Sequence, residues 1–260
     1  CRVERAVVVV GHPEPQIAEG EQLQARGIQF AEDIEGLAER ARLVHRVAPF
    51  ERWAGADHGV LAAVDRELGL DAIAQDPSLD PVTQARLGCI VNEELAWGDV
   101  GLAISLGLSQ FHPPFVEMSA DSELIERFCS PQRPTIGCWA LTEPDHGSDT
   151  IAMTEPCFDD PEVRANCIAR KDGEHYVING QKAAWVSNGS IADIAVLFCT
   201  LEPERGFRGG CVILVPLDLP GVDRPRPLDK IGQRSLNQGQ IFFSEVRVPA
   251  SHLVIGPDVY

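Results

Sequence analysis

The chain has 260 residues, of which 44% are hydrophobic and 23% charged, so it can bury a sizeable core and is not mainly disordered. Its 22 Lys and Arg against 39 Asp and Glu leave a formal net charge of −17. This charge repels phosphate backbones, which argues against a nucleic-acid partner, and an anionic ligand would need a local cluster of hydrogen-bond donors.

The N-terminal segment has one short apolar run, residues 6–10, which is too short to span a bilayer and has no clear cleavage site. No other stretch reaches transmembrane length, so we predict no membrane span and a soluble, cytoplasmic protein. Since the sequence does not begin with Met, we interpret it as an excerpt or a processed product. The eight cysteines are scattered and show no zinc spacing, which favours buried free thiols and no metal site.

The first half of the chain predicts helices. Residues 14–47 are rich in Ala, Glu, Gln, Leu and Arg and carry apolar residues at helical spacing, although three glycines interrupt them. Residues 57–70 predict a second helix. A third helix begins at Pro81, a favourable first helical residue. A Gly-dotted apolar helix over 100–109 and a short helix over 121–128 complete this half.

The second half predicts strands, and the change of pattern lies near residues 131–135. Strands over 174–179 and 181–186 are predicted to flank a hairpin turn at Asn179-Gly180. Further apolar runs predict strands over residues 194–200, 211–216, 240–244 and 246–248. Many short strands with regular turns indicate a barrel or sandwich. We therefore predict an α+β chain, with an all-helical N-terminal domain over 1–134 and a β-barrel or sandwich middle domain over 135–260.

Most catalytic templates are absent from the sequence, including G-x-S-x-G, H-E-x-x-H, the Walker loop and G-x-G-x-x-G after a strand. The dipeptides Asp57-His58 and Asp145-His146 suggest a base held by a carboxylate. Sequence neighbours point to opposite sides of the backbone, however, so loop residues are the simpler interpretation. Glu93-Glu94 does not form a facing carboxylate pair, because adjacent residues on a helix do not face each other.

The most informative stretch is residues 139–149, WALTEPDHGSD. An apolar strand ends at Thr142, and Pro144, Gly147 and Ser148 then force an abrupt loop. Such a loop exposes backbone N–H groups and hydroxyls at a sheet edge, which suits a planar, polar-edged cofactor or an anion. An ordinary strand-to-loop transition with capping residues is the alternative interpretation.

Four ordered motifs resemble the acyl-CoA dehydrogenase family. They are ALTEPDHGSD at 140–149, VINGQKAAWVSNGSIAD at 177–193, GGCVILVPLDLPGV at 209–222, and residues 229–249. Glu93-Glu94-Leu95-Ala96 with Asp99 is similar to a more modest pattern of the helical half. The resemblance covers residues 87–260 well and the first eighty residues weakly.

This resemblance implies an oxidoreductase, a flavoprotein of fatty acid or lipid metabolism that carries out FAD-dependent α,β-dehydrogenation of an acyl-CoA. It implies cofactor contacts at Trp139, Ala140, Leu141, Thr142, Gly147, Ser148, Trp185, Val186 and Ser187. Backbone donors over 139–142 would line the isoalloxazine, with the Thr142 hydroxyl on its pyrimidine side. Trp185 would pack against the flavin, and the Ser187 hydroxyl would lie near the reactive ring nitrogen, where the family usually has Thr. Ser148 would also contact the thioester substrate.

In this family a carboxylate removes the α proton while a hydride leaves the β carbon for flavin N5. The resemblance implies that this base lies in a C-terminal helical domain that would begin near Tyr260, so the catalytic residue is expected outside this chain. It also implies a homo- or hetero-oligomer, a dimer or tetramer, and an acceptor such as an electron-transfer flavoprotein. A non-catalytic flavin- or thioester-binding homologue and a flavin monooxygenase or oxidase of the same fold remain open alternatives.

Overall fold

The computed structural model describes residues 80–130 and 132–260. The helices predicted over 14–47 and 57–70 lie outside this part, as does the Asp57-His58 dipeptide. Within it, three α-helices precede eight β-strands, and four short 3-10 turns connect them. The order of a helical region followed by a β region is therefore as predicted, whereas the exact domain division at 134 and 135 stays a prediction.

The first helix, α1, spans Pro81–Ser109 and is kinked near its middle. Asp80 caps it by accepting hydrogen bonds from the backbone N–H groups of Val82 and Thr83 at 3.0 and 3.1 Å. Asp99 has extended rather than helical dihedrals, with φ −155° and ψ 110°. Its carboxylate accepts from the N–H of Leu102 at 2.8 Å and so caps the second segment. The two helices predicted from the sequence are thus one helix broken at Asp99.

Two short helices follow α1. Helix α2 spans Pro113–Met118 and was not predicted, while α3 spans Ser122–Phe128 after the cap residue Asp121, as expected. A six-residue helix carries too little periodicity to be recognised from sequence. Both helices bury apolar side chains against the sheet.

The strands form one mixed sheet. Their bounds are β1 Gly137–Ala140, β2 Ile168–Asp172, β3 His175–Ser187, β4 Ile194–Thr200, β5 Gly210–Pro216, β6 Val222–Asp223, β7 Gln238–Pro249 and β8 Leu253–Ile255. The order is β6-β7-β3-β2-β4-β5-β8, and β1 pairs with β4 in parallel. Strands β2 and β4 also run parallel but pair only at Ile168 and Thr200, and the other neighbours are antiparallel.

The sheet of the described residues is open rather than closed into a barrel. Its edge strands β6 and β8 have two and three residues and do not pair with each other. The predicted β-domain is therefore confirmed, with the difference that closure is not observed. Strands this short offer too few backbone groups for a closing ladder.

Strands β4 and β5 form the centre of the core. They pair without interruption from Ile194 opposite Pro216 to Thr200 opposite Gly210. Alternate side chains enter two apolar clusters, one shared with α1 and the other with α2 and α3. Leu197 and Ile213 lie in the first cluster. Burial on both faces explains why these strands read as continuous apolar runs in the sequence.

The predicted hairpin turn at Asn179-Gly180 is wrong. Strand β3 runs through both residues, and the actual β2–β3 turn contains Gly173, whose φ is +61°. Gly180 instead lies at a shift of register against β7 and has φ +142°. A Cβ there would lie 2.6 Å from the Cα of Cys167. The Asn-Gly signal thus reflects a positive φ and a close backbone approach rather than a turn.

Strand β7 likewise joins two predicted strands across an irregular residue. Glu245 has φ +53°, and its backbone N–H donates to Asn179 Oδ1 at 2.9 Å. The Asn179 side chain donates back to Glu245 Oε1 at 2.6 Å. A reciprocal pair of hydrogen bonds therefore holds the β3 and β7 irregularities together.

All seven cysteines among the described residues are free thiols, as expected. Cys138, Cys167, Cys199 and Cys211 are buried, whereas Cys89 is exposed. Burial raises the pKa of the Cys138 thiol to about 12. In this part of the chain, no helix combines the length and the apolar character that crossing a membrane requires.

Candidate functional site

Strand β1 pairs with β4, and its tryptophan packs against aromatic side chains. The Trp139 ring centroid lies 4.3 Å from that of Phe111 and 4.6 Å from that of Phe198. Ala140 is fully buried. The Trp139 side chain is thus committed to an aromatic cluster. A backbone contact of Trp139 with a cofactor stays a prediction of the resemblance.

A buried ion pair fixes the loop after β1. Lys182 Nζ lies 2.6 Å from Glu143 Oε1, and both side chains are 0% exposed. The same ammonium donates to the carbonyl of Leu141 at 3.0 Å. The Glu143 carboxylate also accepts from the N–H groups of Asn166 and Cys167 at 2.6 and 3.0 Å. Because the Glu143 carboxylate is 0% exposed and bonded to these three donors, it shapes the loop rather than acting as a base.

A backbone hydrogen bond joins the two segments that the resemblance assigned to the cofactor. The N–H of Ala183 on β3 donates to the carbonyl of Thr142 at 3.0 Å. The Thr142 side chain is partly exposed beside this contact. The first motif and the strand that carries Trp185 and Ser187 therefore lie side by side.

The far end of the loop is held by Asp149. Its carboxylate contacts His146 Nδ1 at 2.7 Å and accepts from the N–H of Gly147 at 2.6 Å. Although burial opposes its ionisation, these hydrogen bonds and the nearby imidazole lower the pKa of Asp149 below its usual value. Asp145 instead accepts from the side chain of Asn166. Asp145 and His146 are thus not hydrogen-bonded to each other. The sequence analysis did not find the contact between His146 and Asp149, because it depends on the tight turn that joins them.

Ser148 begins a 3-10 turn, Ser148–Ile151, and its side chain is exposed. Within the described residues, no hydrogen bond or ring contact joins Gly147 or Ser148 to Trp185 or Ser187. The structure thus groups Thr142 with the end of β3, and it leaves Ser148 at the other end of the loop.

The end of β3 offers one aromatic face and one hydroxyl. Trp185 is 59% exposed, Val186 is buried, and Ser187 is half-buried. Trp185 and Ser187 are two residues apart at the end of β3, where the pairing with β7 has a register shift between Lys182 and Val186. An exposed aromatic face beside a hydroxyl suits a planar ligand with a polar edge.

A polar chain from β7 supports Ser187 and was not found from the sequence. Gln238 Nε2 donates to Ser187 Oγ at 3.0 Å, and Lys230 Nζ donates to Gln238 Oε1 at 2.8 Å and to the carbonyl of Leu236 at 2.9 Å. Burial lowers the pKa of the Lys230 ammonium. The β3–β7 pairing brings Gln238 to a serine 51 positions away, so no local pattern announces it.

A cavity of about 270 Å³ lies beside this chain, and Lys230 and Arg234 line it together with Asp229. Asp229 and Arg234 form an ion pair at 3.1 Å. The two cations supply local positive charge in a chain whose net charge is −17. No group of His, Cys, Asp or Glu able to hold a metal occurs in the part of the chain that the structure describes.

Comparison with known proteins shows a likeness to acyl-CoA dehydrogenases. Residues 138–246 match the model of the acyl-CoA dehydrogenase middle domain. The chain is 26% identical over 223 residues to glutaryl-CoA dehydrogenase of Desulfococcus multivorans, which covers 82% of this chain and 54% of that protein.

Solved structures show the same likeness to acyl-CoA dehydrogenases. A putative acyl-CoA dehydrogenase from Mycobacterium smegmatis has a TM-score of 0.64 and 27% identity over 85% of this chain and 57% of its own. A glutaryl-CoA dehydrogenase from the same species, solved in complex with FADH2, has a TM-score of 0.59 and 24% identity over 85% of this chain and 55% of its own. This chain thus spans about half the length of these relatives. The motifs, the β-domain and these matches agree that residues 138–246 are similar to the middle domain of acyl-CoA dehydrogenases.

Proposed function

We propose that this chain supplies the flavin and thioester platform of an FAD-dependent enzyme that dehydrogenates an acyl-CoA between its α and β carbons. The hydrogen bond from the N–H of Ala183 to the carbonyl of Thr142 carries the proposal, because it joins the two segments that would hold the flavin. The relatives named as glutaryl-CoA dehydrogenases, one of them in complex with FADH2, support the same chemistry.

The donor set of these residues fits a flavin. The exposed Trp185 face suits a planar ring, and the hydroxyls of Thr142 and Ser187 suit its polar edge. We propose that the backbone of Trp139, Ala140, Leu141 and Val186, with Gly147 and Ser148 of the loop, completes the contacts. When bound, FAD supplies the hydride acceptor of the reaction, and the protein supplies binding and orientation.

The residues of this chain would orient the two ligands and tune their surroundings. The buried pair of Lys182 and Glu143 would hold the loop carbonyls in place before any ligand arrives. The exposed Ser148 hydroxyl would meet the polar part of the thioester. The buried, paired Glu143 carboxylate is not available as the base, and we propose, as the resemblance implies, that the base lies outside this chain.

Further parts of the proposal concern the assembly and its place. We propose a division of the chain at residues 134 and 135, an oligomer that completes the site, and an electron-transfer flavoprotein or a comparable acceptor. The free thiols suit a reducing compartment, and we propose a cytoplasmic location.

The first experiment is the visible spectrum of the flavin-loaded enzyme, in which this chain is joined by the part or partner that supplies the base, recorded before and after anaerobic addition of glutaryl-CoA and of short-chain acyl-CoAs. We expect a flavin spectrum that bleaches with a thioester. A flavin that stays oxidised with every thioester would favour a monooxygenase or oxidase, and a chain that binds thioesters without any flavin would favour a binding homologue.

Substitution of Thr142 tests the site itself. Thr142→Val keeps the shape and removes the hydroxyl, so we expect flavin affinity to fall by about three- to tenfold, as for one lost hydrogen bond. Titration of flavin into the stripped protein measures this. The matched control is Thr154→Val, since Thr154 is an exposed threonine of the following loop. Equal affinities for both variants would contradict the assignment of Thr142.

A further inference from the structure

Two hydrogen bonds that lead to the Ser187 hydroxyl run in one donor-to-acceptor direction. Lys230 is the first member of a chain of two hydrogen bonds that ends at Ser187 Oγ, with Gln238 between them at 2.8 and 3.0 Å. All three side chains are partly buried. Lys230 and Gln238 therefore occupy one side of the Ser187 hydroxyl, and Ser187 itself is partly exposed.

The lysine fixes the orientation of the Gln238 amide. An ammonium group can donate hydrogen bonds but cannot accept them, so it must face the amide oxygen of Gln238. The amide nitrogen then faces Ser187. This assignment follows from chemistry and does not depend on telling oxygen from nitrogen by position.

The amide nitrogen in turn fixes the role of the serine. Ser187 Oγ accepts from Gln238, so its own proton must go to another acceptor. Within residues 80–130 and 132–260, that proton has no protein acceptor. A threonine would hold its hydroxyl by the restricted rotation of a β-branched side chain, whereas a serine needs an external partner to do so.

Resting on the proposed function, we propose that Lys230 and Gln238 are positioning residues that turn the Ser187 hydroxyl outward, so that it donates a hydrogen bond to the bound flavin. Gln238 replaces, by a hydrogen bond, the rotational restraint that a threonine at position 187 would carry. The two residues act through Ser187 and do not themselves need to touch the cofactor.

A double-mutant cycle tests this direction. Gln238→Glu keeps the size of the side chain and its contact with Lys230, but a carboxylate can only accept, so Ser187 would turn its proton inward. In the unaltered chain, we expect Ser187→Ala to weaken FAD binding by about three- to tenfold. In the Gln238→Glu variant, where the Ser187 hydroxyl no longer faces the flavin, Ser187→Ala should lower FAD affinity by less than about twofold.

The measurement is the dissociation constant of FAD, titrated into the stripped full chain, together with the midpoint potential of the bound flavin. The shift in potential caused by Ser187→Ala should likewise vanish in the Gln238→Glu variant. Gln240→Glu is the matched control, because Gln240 lies two residues along β7 and accepts from Gln181 rather than from Lys230. In that control variant, the effect of Ser187→Ala should be the same as in the unaltered chain.

Rescue separates positioning from general loss of structure. Lys230→Met and Gln238→Ala should each weaken FAD binding, and adding Ser187→Thr should restore most of the affinity, since the methyl group again restricts the hydroxyl. Equal effects of Ser187→Ala with and without Gln238→Glu, or no rescue by threonine, would overturn the assignment while leaving the proposed function intact. A full chain that binds no FAD would overturn both.

Discussion

Two pairs of strands differ in a way that separates structure from function in this protein. Strands β4 and β5 pair in one unbroken register and bury nearly every side chain. Strands β3 and β7 are longer but pair with two register shifts, and they carry the exposed Trp185 and the half-buried Ser187. The regular pair forms the core, and the irregular pair aims side chains out of the sheet at the proposed site.

The contrast has one exception, which is the buried ion pair between Lys182 on β3 and Glu143. At Lys182, strand β3 is as buried as the core, but the buried side chain is charged. A buried pair of this kind adds little net stability, yet removal of one partner leaves the other charge uncompensated. The pair thus holds the site loop in one conformation, because any conformation that separates Lys182 from Glu143 would leave a buried charge without its partner.

The largest expected loss of stability comes from removing one partner of the Lys182–Glu143 ion pair. Lys182→Met should destabilise the fold by about 3–5 kcal/mol, because it leaves the Glu143 carboxylate buried without its cation. Urea unfolding measures the loss. Lys171→Met, at an exposed position on β2, is the matched control and should change the free energy of unfolding by less than about 0.5 kcal/mol. Adding Glu143→Gln to Lys182→Met should recover part of the loss, and a failure to recover any would contradict the role of the unpaired charge.

The second-largest loss of stability is expected from a substitution in the regular strand pair, β4 and β5. Ile213→Ala on β5 removes a fully buried side chain and should cost about 2–5 kcal/mol through lost burial and the cavity left behind. Ile231→Ala is the control, because Ile231 is fully exposed. Thermal or urea unfolding of both variants would measure the difference. A loss below about 1 kcal/mol at Ile213 would mean that β4 and β5 are not the centre of the core.

The irregularity of β3 can be tested at its glycine. Gly180→Ala should destabilise the fold by about 1–3 kcal/mol, since φ is +142° and the new Cβ would lie 2.6 Å from the Cα of Cys167. Gly107→Ala should have the opposite sign and stabilise by about 0.5–1 kcal/mol, because Gly107 lies in α1 with open space around it. Equal signs for the two variants in urea unfolding would argue against the register shift at Gly180.

The smallest effect on stability is expected at the site surface. Trp185→Ala should change the free energy of unfolding by less than about 1 kcal/mol, because the side chain is 59% exposed. The same change should weaken FAD binding strongly, since the ring is proposed to pack against the flavin. Trp97→Ala is the control, at a tryptophan of α1 that is 77% exposed. If the two tryptophan variants bind FAD equally well, Trp185 has no cofactor role.

Much of the fold was predictable because its signals are local. The apolar run of β4 gave its bounds without error, and that of β5 gave them to within one residue. The helix predicted over residues 121–128 is α3, which begins one residue later because Asp121 is its cap. Asn179-Gly180 misled for a physical reason. A positive φ serves a tight turn and a strand irregularity alike, and only the presence of Cys167 against Gly180 distinguishes them.

The sequence by itself determined the family motifs, the order of helices before strands, and the central strands, since these depend on neighbours in the chain and on hydrophobic periodicity. Only the tertiary structure decided that the sheet stays open, that Glu143 is neutralised by Lys182, and that Gln238 and Lys230 support Ser187. These features depend on strand register between distant segments, and a shift of one residue would turn each side chain to the opposite face.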